Sequence, residues 1–188
     1  MRPSAGAGPG DAPDPGLAAA SLGADVPFAL HGHTAVGLGR GDLLSPAMTH
    51  GTFYWVFATQ AEGLSTRHVY GEFDEWVADG LLNASEPRIS DDVMVALIAG
   101  DAAALGAALV NDLQDPAIHL APALRDIITA AQDVDACGAI VSGSGPTVAA
   151  LARNAQHALA IAAHIRSTGL ADQVITASGP AQGATLLA

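Results

Sequence analysis

The stretch 140–151, Ile-Val-Ser-Gly-Ser-Gly-Pro-Thr-Val-Ala-Ala-Leu, most constrains the fold of this 188-residue chain. Two apolar runs enclose Gly143 and Gly145, a pattern that predicts two strands joined by a glycine loop. Glycine adopts positive φ and lets an anion approach the main chain, so the loop amides could bind a phosphate group. A tight hairpin with glycine at its turn positions explains the same residues equally well.

The charge of the chain argues against several classes of function. Its formal net charge is −12, and all 7 of its basic Lys+Arg residues are arginine. Nucleic acids and anionic membranes bind basic protein faces, so we expect neither as a partner. Without lysine, the chain cannot complete a Schiff-base site or a P-loop by itself.

Disulfides and protein-held metal ions are not expected either. Cys137 is the single cysteine, which excludes an intrachain disulfide and a cysteine metal cluster and favours a cytoplasmic location. His31 lies two residues from His33, and His157 lies two helical turns from His164. Because no third ligand stands at metal-binding spacing, we predict that these histidines hold no metal.

Composition divides the chain into three parts. Residues 1–16 are rich in Pro, Gly and Ala and resemble neither a signal peptide nor a membrane span, so we interpret them as a disordered tail. Residues 17–50 form a small region. In it Val26 precedes a proline, which predicts an extended conformation and a following strand, and 31–44 predicts two short strands around a glycine turn. Residues 51–188 form the main domain.

The main domain is predicted to be α+β. A β-branched and aromatic strand at 52–58 is followed by expected helices at 67–78, 90–98 and 101–110 and a longer helix from about Leu120 to Val134. The strands around the glycine loop come next, then a helix at 155–167 and strands at 173–177 and 184–187. We expect an antiparallel sheet with helices on one face, in a ferredoxin-like order elaborated by extra helices.

Asp25 stands where the backbone is restricted, between Gly23 and a Val-Pro pair. Its carboxylate could be held in fixed geometry as a base or a metal-binding group. An aspartate in a turn also commonly bonds its own backbone or caps a helix. Residue chemistry leaves both possibilities open.

Several motifs occur together in one order along the chain. They are Leu22-Gly-Ala-Asp-Val-Pro-Phe28, His31-Gly-His-Thr-Ala35, Leu64-Ser-Thr66, Asn111-Asp-Leu113, Ser142-Gly-Ser-Gly-Pro-Thr147 and Gly179-Pro180. From about residue 17 to its end, the chain resembles the 4-diphosphocytidyl-2-C-methyl-D-erythritol kinase family of the GHMP kinase superfamily. The resemblance implies a ferredoxin-like GHMP kinase C-terminal domain at 51–188 and a remnant of the N-terminal domain at 17–50.

The resemblance also implies a reaction and its residues. The family transfers the γ-phosphoryl group of ATP, with Mg²⁺, to a hydroxyl of a cytidine diphosphate derivative in non-mevalonate isoprenoid biosynthesis. Asp25 matches the catalytic aspartate, which would orient and deprotonate that hydroxyl. Thr66 and Tyr70 match substrate-binding positions, with the Tyr70 ring beside the cytosine. The superfamily's third motif, which supports the phosphate region, is matched by Ser142, Gly143, Ser144 and Gly145.

Two motifs of the family have no counterpart in this chain. They are the strand that carries the active-site lysine and the glycine-rich phosphate loop of the N-terminal half. Since the chain has no lysine to replace the absent cation, we expect it to be truncated relative to the family and inactive alone. A non-catalytic ligand-binding or regulatory module of ferredoxin-like fold is the alternative.

Overall fold

The computed structural model describes residues 22–23, 25–83 and 88–185. The predicted tail at 1–16 lies outside these residues, as do 17–21 and the end of the predicted strand at 184–187. The chain divides into two units, one made of residues up to 47 together with 181 onward, the other of residues 48–180. The predicted domain assignment, 17–50 and 51–188, stays a prediction.

The described residues of the first unit include a helix and a hairpin. Helix α1 (Val26–His31) precedes strands β1 (Ala35–Leu38) and β2 (Leu43–Pro46), which pair antiparallel. The predicted hairpin is thus confirmed, but the predicted extended conformation at Val26 is wrong. Val26 begins α1 because Pro27 falls in the first helical turn, where the missing N–H of proline costs nothing and its fixed φ suits the helix.

The second unit is built on a four-stranded antiparallel sheet in the order β4-β5-β3-β6. This order, with its crossover helices, is the ferredoxin-like arrangement that the sequence predicted. The elements along the chain are β3 (Phe53–Thr59), α2 (Thr66–Ala78), α3 (Asp91–Ala99), α4 (Ala102–Ala108), α5 (Gln114–Leu120), α6 (Ala123–Gln132), β4 (Gly138–Val141), β5 (Val148–Ala152), α7 (Ala155–Thr168) and β6 (Gln173–Gly179).

The long helix expected from about Leu120 to Val134 corresponds to α6, and α5, which comes before it, was not predicted. Helix α5 ends at Leu120, and α6 starts at Ala123 with Pro122 as its N-cap residue. Proline has no N–H to donate and disfavours helical conformation in the residue before it, so the chain turns at Ala121. Pro116 is accommodated within the first turn of α5, where its N–H has no intrahelical acceptor.

Helices cover both faces of the sheet, and the prediction of helices on one face is wrong. Val56 and Ala58 of β3 join the main core with side chains of α6 and α7, such as Ile127 and Ile161. On the opposite face, a second buried cluster packs α3 and α4 against β3 and β5 through Phe53, Ala96, Leu105 and Leu151. Each large side chain buried in this way contributes about 1.5–3 kcal/mol.

No helix in the described ranges is long and apolar enough to cross a bilayer.

Candidate functional site

The glycine loop, residues 142–147, joins β4 to β5. The Ser142 N–H donates to the Thr147 carbonyl at 2.7 Å, and the Gly145 N–H donates to the Ser142 carbonyl at 3.0 Å. Gly143 and Gly145 have φ of 58° and 76°, values that glycine adopts without the steric cost of a side chain. The loop is therefore a hairpin connection whose shape depends on both glycines.

Two adjacent amides of this loop have no acceptor within the described part of the chain. Among the residues that the structure describes, neither the Gly143 N–H nor the Ser144 N–H donates a hydrogen bond. Gly143 is exposed and Ser144 half-buried, so a ligand can reach the turn. Two adjacent free N–H groups are the arrangement by which a backbone turn holds an anion. The hairpin and the anion-binding interpretations of this sequence are therefore compatible.

The loop is also held by side chains at the start of α5 and just before it. The Asn111 side-chain amide donates to the carbonyls of Val141 and Gly143, both at 2.8 Å. The Gln114 Oε1 accepts from the Val141 N–H at 3.1 Å. Sequence reasoning quoted Asn111 only as part of a motif and gave neither residue a role. Their partners lie some thirty residues away in sequence, so no local pattern predicts the contact.

Thr66 and Tyr70 lie one helical turn apart on α2. Thr66 is the first residue of the helix and Ser65 its N-cap residue, one position earlier than the sequence predicted. The Thr66 hydroxyl lies 3.0 Å from the Ser144 hydroxyl and shares a hydrogen bond with it. The side chain of Tyr70 is 53% exposed, whereas Val69 beside it is fully buried and anchors the helix. At this exposure, Tyr70 is not part of the hydrophobic core.

The structure thus brings several of the predicted site residues together. Thr66, Tyr70 and the glycine loop belong to one surface region of the second unit, which we call the loop face and define as residues 66, 70 and 142–147. A cavity of about 310 Å³ adjoins it, lined by Glu62, Leu64, Pro122 and Pro146 among others. Among the described residues that line this cavity, Glu62 carries the one charged group.

Asp25 belongs to the first unit. It occupies the N-cap position of α1 with φ −85° and ψ −15°, yet its side chain makes no capping hydrogen bond. The residue is exposed, and its carbonyl accepts the Ala29 N–H at 3.3 Å. The carboxylate is therefore not engaged in the capping that a turn aspartate usually performs.

The described residues offer no ready-made metal centre. No group of three or more His, Cys, Asp or Glu side chains in the part of the chain that the structure describes could hold a metal ion. Mg²⁺ in phosphotransferases is commonly held by one or two carboxylates together with substrate phosphates and water. A single exposed carboxylate, such as that of Asp25, fits binding of Mg²⁺ together with substrate phosphates. The described residues do not fit a site in which protein side chains supply all the ligands.

Comparisons with known proteins agree with this architecture. Residues 93–170 match the family model described as GHMP kinases C terminal. The chain is 51% identical over 169 residues to a 4-diphosphocytidyl-2-C-methyl-D-erythritol kinase of Thermobifida fusca, covering 90% of this chain and 54% of that protein. A protein of the same name from Clavibacter michiganensis is 48% identical over 172 residues, covering 89% and 54%. The chain spans about half the length of these curated relatives.

Solved structures show the same fold. A crystal structure of 4-(cytidine 5'-diphospho)-2C-methyl-D-erythritol kinase matches with a TM-score of 0.69 and 26% identity, covering 88% of this chain and 56% of that one. A mevalonate kinase of L. major matches with a TM-score of 0.63 at 20% identity, covering 80% and 49%, a likeness of fold alone. Residues 93–170 of the chain therefore match the GHMP kinase C-terminal model, and the chain is similar over most of its length to 4-diphosphocytidyl-2-C-methyl-D-erythritol kinases.

Proposed function

We propose that this chain supplies part of the active site of an ATP-dependent kinase that phosphorylates a hydroxyl of 4-diphosphocytidyl-2-C-methyl-D-erythritol. The observation that carries the proposal is the 51% identity over 90% of the chain to a protein of that name. The reaction belongs to isoprenoid synthesis and would take place in the cytoplasm. The expectation that nucleic acid is not a partner rests on the net charge of −12.

Asp25 is the proposed catalytic residue. Its role is to orient the substrate hydroxyl and to accept its proton as the oxygen attacks the γ-phosphorus. Phosphoryl transfer depends mainly on positioning and charge stabilisation, so one fixed carboxylate beside the nucleophile suffices as the base. An exposed carboxylate without a capping bond is free for this purpose.

The loop face is proposed to bind the substrate and its phosphates. The exposed ring of Tyr70 would stack on the cytosine, an interaction worth about 1–3 kcal/mol per base. Thr66 would contact the substrate beside it, and the free Gly143 and Ser144 amides would donate to phosphate oxygens. Mg²⁺ carried with ATP supplies charge neutralisation at the transferring phosphoryl group. With no lysine in the chain, the lysine that the family uses would have to come from outside it.

Calorimetry with cytidine diphosphate tests the proposal on the full chain. We expect weak binding that Tyr70→Ala abolishes and that Tyr70→Phe, the matched control that keeps the ring, preserves. Equal binding by Tyr70→Ala would contradict the stacking role. Absence of any nucleotide binding would favour the alternative, a non-catalytic module.

A second experiment tests Asp25. We expect no substrate-dependent ADP release from the 188-residue chain with Mg-ATP, because the lysine-bearing motif has no counterpart in it. A chimera can supply the missing function by placing, ahead of residue 17, the portion of the Thermobifida fusca relative that this chain does not match. Turnover by the chimera should be lost in Asp25→Asn and retained in Asp74→Asn, which changes an exposed aspartate on α2. Full turnover by the chimera carrying Asp25→Asn would refute the catalytic assignment.

A further inference from the structure

Strand β4 is an edge strand of the sheet, since it pairs only with β5 in the described order. The backbone groups on its free side must therefore find partners other than a neighbouring strand. At the end of β4 they are met by side chains: Val141 donates its N–H to Gln114 and presents its carbonyl to Asn111. The Asn111 side-chain amide also donates to the Gly143 carbonyl, which lies inside the glycine loop.

Asn111 is itself fixed in orientation. Its Oδ1 accepts the Leu113 N–H at 3.0 Å, while its Nδ2 donates to the two carbonyls. An asparagine amide has one oxygen and two hydrogens to offer, and all of these are used. The reversed amide would place an oxygen against two carbonyl oxygens, so the network admits one orientation only.

This network determines the shape of the loop. With the carbonyls of Val141 and Gly143 directed toward Asn111, the turn leaves the Gly143 and Ser144 amides without a protein acceptor among the described residues. The same turn places the Ser144 hydroxyl 3.0 Å from that of Thr66. Asn111 thus acts on the loop face through the loop backbone and does not itself belong to that face.

We propose that Asn111, assisted by Gln114, is a positioning residue that holds the glycine loop in its phosphate-binding shape. That the loop binds a phosphate group rests on the proposed function. That Asn111 holds the loop in its shape does not. The substitution Asn111→Asp separates the two halves of the contact. It keeps an oxygen for the Leu113 N–H but removes both donors and turns a carboxylate toward two carbonyls.

Asn154→Asp is the matched control. The Asn154 Oδ1 accepts the His157 N–H at the start of α7, and its Nδ2 donates to no acceptor in the described part of the chain. The control makes the same change from amide to carboxylate and adds the same charge. At position 154, however, only the side-chain oxygen makes a hydrogen bond, and aspartate keeps that oxygen. Aspartate serves as an N-cap as well as asparagine does.

Hydrogen exchange of the Ser142 and Gly145 amides, the two that donate within the loop, is the first measurement. We expect exchange about tenfold or more faster in Asn111→Asp, since two hydrogen bonds that close the loop are lost, and unchanged exchange in Asn154→Asp. Amides of the central strand β3 should keep their wild-type rates in both. Unchanged loop exchange in Asn111→Asp would overturn the proposal. If that variant fails to fold, Gln114→Met removes the acceptor of the Val141 N–H and should speed the exchange of the Val141 amide; an unchanged rate there would overturn the assistance by Gln114.

The second measurement is the ratio of cytidine diphosphate to cytidine affinity. A loop that loses its shape should lower the affinity of the diphosphate about fivefold or more and leave that of the phosphate-free nucleoside unchanged. If Asn111 had only a structural role, the substitution would change the affinities for cytidine diphosphate and for cytidine equally, or change neither. Either result would refute the role of Asn111 in positioning the phosphate site. If the wild-type chain binds neither ligand, the proposed function fails, and loop exchange still decides the role of Asn111.

Discussion

Gly106 of α4 offers a test of how the second unit is packed. Helix α4 approaches β4 so closely that a Cβ added at Gly106 would lie 2.8 Å from the Gly138 nitrogen and still closer to the Cys137 carbonyl. These are backbone atoms of the first residue of β4 and of the residue before it, so no rotamer change can relieve the overlap. Gly106→Ala must therefore push α4 away from the sheet and loosen the packing of its neighbour Leu105, which is buried against the opposite face.

The size of the effect follows from two opposing contributions. Alanine stabilises a helix interior by about 1 kcal/mol relative to glycine. Overpacking a tight contact costs about 1–3 kcal/mol, and the upper end applies where backbone meets backbone. We expect a net loss of about 2 kcal/mol of unfolding free energy.

Gly71→Ala is the matched control for this substitution. Gly71 lies in the middle of α2, and a Cβ there would meet nothing within 4 Å outside its own helix. The helix propensity gain then stands alone, and the variant should be more stable than wild type by about 0.5–1 kcal/mol.

Urea unfolding followed by far-ultraviolet circular dichroism measures both variants. With a slope of about 2 kcal/mol per molar urea, the two midpoints should differ by roughly 1 M or more, with wild type between them. A Gly106→Ala midpoint at or above that of wild type would refute the close-approach argument. A loss in Gly71→Ala would refute the helical propensity argument instead.

Three further substitutions or measurements test local interactions. Asn154→Ala removes the cap on the His157 N–H and should cost about 1 kcal/mol in the same urea experiment, whereas Asn154→Asp should stay near wild type. Burial raises the pKa of the Cys137 thiol, an effect that Asp101 reinforces and Arg153 opposes. At about pH 8.5, iodoacetamide should therefore alkylate Cys137 more slowly in the folded chain than in the urea-unfolded chain. Equal alkylation rates would contradict the raised pKa. Because the pKa of Cys137 is higher in the folded chain, its contribution to the free energy of unfolding is present below the ordinary thiol pKa. That contribution is lost as the pH rises through the raised pKa of the folded chain. The hydrogen bond from Arg40 lowers the pKa of Asp42, so Arg40→Gln should raise it toward about 3.9 in an NMR titration of the carboxyl group. The contribution of Asp42 is present above its ordinary pKa and is lost as pH falls through the lowered value, and an unchanged pKa in Arg40→Gln would exclude the pair in solution.

The sequence predicted the elements whose signal is local. The aromatic run at 52–58, the glycine-separated strands around residue 143 and the hairpin after His31 all carry their pattern within a few residues, and each strand is confirmed. Helix α5 was not predicted, because its Pro116 is a residue that commonly ends a helix. Proline is nevertheless accommodated in the first turn, where its missing N–H has no intrahelical acceptor.

The second layer of helices was beyond sequence reasoning for a different reason. Alanine-rich α4 has little apolar contrast between its faces, so its sequence does not show which side is buried. Its packing depends on Gly106 meeting Gly138, a pairing between segments distant in the chain. The Asn111 contacts with the loop were missed on the same ground, since a polar side chain before a helix has many possible partners.

The two outer edges of the sheet clarify what Asn111 contributes. On β6, the opposite edge, the Arg166 guanidinium donates to the Val174 carbonyl at 2.6 Å, so both edges of the described sheet have backbone groups bound to side chains of the same unit. Such bonds oppose pairing with another chain, and this alone could explain why Asn111 and Gln114 bind Val141. Edge protection does not explain the second Asn111 bond, which goes to Gly143 beyond the end of the strand. Aspartate would still place a charged group at the β4 edge and discourage association there. Asn111→Asp should therefore leave the chain as monodisperse as wild type while freeing the loop, and a faster-exchanging loop in that variant would be the effect of the Gly143 contact and not of aggregation.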